Sequence, residues 1–136
     1  MDTTLTTELG ILACLSVLAA SLWIPYIIGV NTEAAAGDPF ARPVDLSALR
    51  PWVHRAHRAH LNLLEQLVPF AILVLLVDRS DAYSSLTYWT AIVFFWLRVA
   101  HAAGMITGIA RLPLRPIIFT AGWACCLIMA YAVFAA

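Results

Sequence analysis

Charged residues are scarce in this chain, 12% of 136 against 62% that are hydrophobic. A water-soluble domain of this size would be left with more apolar surface than it could bury, so the surrounding solvent is lipid. A basic N-terminal start is also missing. The first residues carry Asp2 and Glu8 and neither Lys nor Arg. The apolar run behind them is long enough to span a bilayer, so it is expected to stay as a helix rather than leave as a signal peptide. There is no Gly-rich phosphate loop and no basic stripe with interleaved aromatics, which removes nucleic acid from the candidate partners. The three cysteines, Cys14, Cys125 and Cys126, all lie in apolar blocks. They read as small buried hydrophobes rather than a disulfide framework.

What is present is apolar sequence in long blocks: Leu9 to Val30, Leu61 to Val77, Leu86 to Ile109 and Ile117 to Ala136. Each is near the roughly 17–25 residues that cross a bilayer as helix. The expectation is an all-α, integral membrane four-helix bundle, one domain over 1–136, with helices near 8–30, 51–78, 84–110 and 116–136. The longest polar stretch, Asn31 to Arg50, fits only a loop, with a turn at Gly37-Asp38-Pro39. Arg42, Arg50, Arg55 and Arg58 lie between the first two blocks, and Arg111 and Arg115 between the last two. The turn between the second and third has only Arg79, beside Asp78 and Asp81. By the positive-inside rule the first and third loops are cytoplasmic and both termini lie on the non-cytoplasmic side.

Pro25 should kink the first helix near its inner end, because it frees a backbone carbonyl. Asp45 to Ser47 offer a cap for the second helix, and Pro51 suits its first position. The opening turns of that helix, with Trp52, His54, Arg55, His57, Arg58 and His60, have the cation and aromatic mixture of an interface. The three histidines drift round the helix with no Cys or acid among them, so no metal site is assigned. Arg98 sits near the middle of the third apolar span and is the costliest residue in the chain. His101, one turn on, reads as a hydrogen-bonded core histidine. The fourth helix follows Arg111-Leu112-Pro113-Leu114-Arg115-Pro116, whose second proline is expected to start it, and should serve mainly as packing.

Arg55, Arg58, Asn62 and Glu65 are spaced by three, four and three residues, which makes one polar seam along the second helix. Asn62 and Glu65 would be expensive facing lipid, so both are expected to face the bundle interior. The simplest partner for Glu65 is Arg98, at similar depth. Two readings of this seam stay open. It fixes helix register, as buried polar groups sometimes do. Otherwise it is a receptor for a small, multiply charged ligand, with guanidinium groups gripping carboxylates and Glu65 receiving an ammonium.

Arg58-Ala59-His60-Leu61-Asn62-Leu63-Leu64-Glu65 followed by Pro69-Phe70, then Arg98-Val99-Ala100-His101 and Arg111-Leu112-Pro113-Leu114-Arg115, resembles the MAPEG family, the membrane-associated proteins in eicosanoid and glutathione metabolism. The order and spacing of these pieces match over nearly the whole chain. The resemblance implies a homotrimer that binds glutathione as co-substrate between neighbouring subunits, in a site open to the cytoplasm and to lipid. It implies a glutathione transferase or peroxidase acting on a lipophilic electrophile. By motif position Arg58, Asn62 and Glu65 correspond to glutathione-binding residues, with Arg55, His101 and Arg111 in the same site. Arg98 corresponds to the arginine that pairs with the glutamate, and Arg115 to the catalytic arginine that stabilises the thiolate. Two positions differ from the common pattern: Met105 stands where glutathione-using members often have tyrosine, and Pro116 where some have a hydroxyl. The alternative is a non-catalytic membrane protein of the same fold that binds another anionic or lipid ligand.

Overall fold

Pro25 divides the first membrane span in two. A proline has no N–H to offer the carbonyl four residues back, and its ring crowds that carbonyl. That residue is Ser21, and it is where α1 (Thr7–Ser21) stops; α2 (Trp23–Glu33) resumes after Leu22. The expected kink is therefore a break upstream of the proline. The chain, seen in a computed structural model that describes residues 4–33, 47 and 49–136, continues with α3 (Pro51–Arg79), α4 (Ser85–Thr107) and α5 (Leu114–Phe134). Four helical spans are long and apolar enough to cross a membrane: Thr7–Thr32, Pro51–Arg79, Ser85–Thr107 and Leu114–Phe134. The described residues contain no strand.

The helix ends follow from local chemistry. Thr6 caps α1 by accepting the Leu9 N–H. The cap of α3 is Arg50, whose side chain does not bond the first turn of the helix, rather than a residue of the Asp45 to Ser47 stretch. Pro51 fills the first helical position, where its missing N–H would be unpaired anyway. Asp45, Arg42 and the turn expected at 37–39 lie outside the described residues. Ser84 and Thr87 form a reciprocal capping box at the start of α4. That helix ends on Gly108, whose φ of 81° belongs to the left-handed region that glycine enters without strain. α5 begins at Leu114, two residues before Pro116, which was expected to start it. Pro116 is tolerated there because first-turn N–H groups have no intrahelical partner.

α3 packs against every other helix. Its buried residues Phe70 and Val74 meet Leu15 of α1, Phe94 of α4 and Met129 of α5, all of them sealed from solvent. The Phe70 and Phe94 rings stack with centroids 3.8 Å apart. The outward faces carry Trp89, Trp96, Ile117 and Trp123, as lipid-facing surfaces do. Cys125 and Cys126 are buried as expected, whereas Cys14 is exposed on α1. A thiol is apolar enough to face acyl chains.

Candidate functional site

Successive residues of a helix turn by about 100°, so a seam can be split by one position. The face of α3 that enters the core carries Ala56, Ala59, Leu63, Gln66, Phe70, Val74 and Val77. Asn62 lies at the edge of that face and is buried. Glu65 precedes the buried Gln66 and is turned outward, exposed on the surface of the chain. The expected Glu65–Arg98 pair therefore does not form within the chain. Arg98, only 1% exposed, donates from Nη2 to the carbonyl of Ile118 at 3.0 Å and lies over the Phe94 ring, 5.5 Å from its centroid. Gln66 donates from Nε2 to the carbonyl of Phe119 at 2.8 Å.

Two side chains from α3 and α4 thus hold adjacent backbone carbonyls of α5, and Gly122 makes room for both. A Cβ at that position would overlap the Gln66 amide oxygen and stand 2.7 Å from Arg98 Nη2. Gln66 was missed in the sequence, although it sits in register with Ala59, Leu63 and Phe70. Its amide oxygen, and Nε and Nη1 of Arg98, have no hydrogen-bond partner among the described residues.

Toward the end where α4 stops and α5 starts, a cavity of about 390 Å³ opens. Asn62 lines it from α3, His101 from α4, and Arg115, Pro116, Phe119 and Thr120 from α5, with Leu112 in the turn. Asn62 Nδ2 and His101 Nε2 are buried there without a hydrogen-bond partner. His101 is thus a buried histidine, as expected, but its Nε2 is unsatisfied. Polar atoms left in that state are costly unless a ligand or water meets them. Among the described residues Arg115 is the one cation in the cavity wall, and no carboxylate lines it. A donor amide, an imidazole and a guanidinium make a site for an anion.

An apolar groove of about 370 Å³, lined by Pro116, Ile117, Thr120, Ala121 and Ala124, adjoins it and shares Pro116 and Thr120. The remaining predicted residues lie elsewhere. The Arg55 guanidinium rests against Gly108 at the end of α4, where its charge suits the negative end of the helix dipole. Arg58, Glu65 and Arg111 are exposed and do not line the cavity. Met105 is buried in the core and does not line it either.

Four apolar spans with a cationic cleft at one end define an α-helical, multi-pass membrane protein. The MAPEG family profile matches residues 10–135, and the chain belongs to the MAPEG family. Comparison with curated proteins finds no match.

Proposed function

We propose that the protein is a membrane-bound glutathione transferase or peroxidase that acts on lipophilic electrophiles. The observation that carries this reading is the convergence of Asn62, His101 and Arg115, from three helices, on one cavity that runs on into an apolar groove. Glutathione offers two carboxylates and a thiol; a cationic, donor-rich cavity suits it, and the groove suits an apolar co-substrate. Arg115 stabilises the thiolate electrostatically, which raises the nucleophilic fraction. In conjugation the thiol proton leaves to water, the sulfur pair forms the S–C bond, and the electrophile's leaving group departs with its bonding electrons.

Glu65 supports the assembly side of the reading. It is exposed about one turn inside the apolar block that begins at Leu61, just past the interfacial opening turns of the 29-residue α3. A carboxylate facing lipid there is costly, though less so than the roughly 2.5–3.5 kcal/mol of the bilayer centre. A neighbouring subunit removes the cost by covering it, and the homotrimer implied by the family resemblance brings Glu65 and Arg58 to a subunit boundary.

The test is Arg115→Ala. The conjugation rate with a model electrophile should fall while glutathione affinity, measured by calorimetry, stays nearly constant, because the guanidinium interaction strengthens only as the thiol ionises. A second reading, binding without catalysis, is favoured by Met105 being an apolar core residue where a phenol is common. Wild-type protein that binds glutathione but accelerates neither conjugation nor glutathione-dependent hydroperoxide reduction would establish it in place of the enzyme.

A further inference from the structure

A second cavity, of about 600 Å³, lies at the opposite end of the bundle, where α1 and α4 start and α3 ends. The 23 residues of α4 put roughly 30 Å between it and the Arg115 site. Its wall includes Thr6, Glu8, Tyr83, Ser84, Tyr88 and Trp89. None of these is used by the reading above.

Glu8 is the unusual member. It is 4% exposed, yet it lines the cavity. An ionised carboxylate accepts about four hydrogen bonds; Glu8 receives one, from Thr87 Oγ1 at 2.7 Å. Its second oxygen has no partner among the described residues, and none of the described residues that line the cavity is a cation. A pin between α1 and α4 needs only a hydroxyl or an amide. A nearly buried carboxylate in a cavity wall calls for a positive charge.

The rest of the wall says which kind. Tyr88 and Trp89 meet edge to face, ring centroids 5.2 Å apart at 88°. Trp89 is 60% exposed, so its ring is open to a visitor. Aromatic rings attract organic cations through their faces. Calcium or magnesium wants six or more oxygen ligands, whereas the hydroxyls of Thr6 and Ser84 are committed to capping their helices. Glu8 is also the one His, Cys, Asp or Glu among the described residues that line the cavity. Tyr83 is committed too: it accepts from Thr6 and donates to Asp78.

We propose that this cavity binds an organic ammonium group, primary or quaternary, with Glu8 taking the charge and Tyr88 and Trp89 packing on its alkyl substituents. The cavity lies at the end of three spans, at the depth where headgroups meet aromatic side chains. The same chemistry arrives there either on a phospholipid headgroup or as a free amine.

The test uses the full chain in a non-ionic detergent. Choline and ethanolamine are titrated by calorimetry, and retained lipid is read by native mass spectrometry after mixing with phosphatidylethanolamine, phosphatidylcholine or phosphatidylglycerol. Saturable binding of the amines or of the amine-bearing lipids is expected, and which of the two binds assigns the source. Glu8→Gln keeps the acceptor for Thr87 and should weaken binding about tenfold or more; Trp89→Leu should weaken it about three- to tenfold. Should Glu8→Gln fail to fold, the exposed Trp89 decides. The proposal is overturned if neither ligand class saturates, if phosphatidylglycerol is retained as well as the amine lipids, or if the folded variants bind like wild type.

Discussion

Gly122→Ala is the sharpest perturbation of the bundle. In a helix the exchange alone stabilises by about 1 kcal/mol, because alanine has less backbone freedom to lose. Here the new methyl would enter the space held by the Gln66 amide oxygen and by Arg98 Nη2. Both side chains must move, and with them go the bonds to Phe119 and Ile118, at 2.8 and 3.0 Å. A neutral hydrogen bond is worth about 0.5–1.5 kcal/mol and one from a charged group about 1.5–3 kcal/mol. The net effect is a loss of about 1–3 kcal/mol, opposite in sign to the propensity term. The control is Gly10→Ala in α1, where an added Cβ meets nothing within 4 Å and should raise stability. The assay is thermal unfolding of detergent-solubilised protein. If Gly122→Ala melts at or above the wild-type temperature, the junction of Gln66, Arg98 and α5 is not what holds these helices. Adding Gln66→Ala should recover part of the loss, since the overlapping atom is then gone.

Asn62→Ala should lower glutathione affinity by about 1–3 kcal/mol, roughly five- to 150-fold, with little change in turnover at saturation; unchanged calorimetric affinity would remove Asn62 from the site. Tyr83, in the turn between α3 and α4, has its pKa raised, first by burial and then by its hydrogen bond to Asp78. Its folded-state value lies above the unfolded one, so its contribution is complete below the ordinary tyrosine value of 10.0 and is lost as pH rises through the folded value. Tyr83→Phe should therefore be less stable near neutrality and should lose part of the alkaline fall in melting temperature. A reporter that works only in the cytoplasm should stay silent when fused after Ala136, and an active fusion would reverse the orientation read from the arginine-rich loops.

The spans were legible because hydropathy adds up locally along the chain. The blocks beginning at Leu9 and Leu61 fall within the first two of the four spans, and those beginning at Leu86 and Ile117 overrun the ends of the last two, at Thr107 and Phe134, by about one half-turn. A helix end was readable where a proline acts on its own turn, as at Pro51. Others were misplaced where the neighbouring turn decides, as at Leu22 and Leu114. Asn62, His101 and Arg115, which the family resemblance assigned to a site, all line one cavity. The partner assigned to Arg98 was wrong for a geometric reason. Glu65 and Gln66 are about 100° apart on the helix, and only contact with α4 and α5 selects which of them turns inward.

From the sequence alone come the lipid environment and the number of spans, which depend on composition within a window, and the family, which depends on the order and spacing of motifs along the whole chain and whose resemblance pointed to Arg115. The tertiary structure decided the rest: Arg98 is held by the Ile118 carbonyl of α5, Gln66 by the Phe119 carbonyl beside it, Glu65 is left on the outer surface, and Glu8 lines a cavity against α4. These depend on how closely two helices approach and on which faces meet. The absence of a single side chain, at Gly122, sets that approach, and a one-dimensional pattern does not carry such pairwise distances.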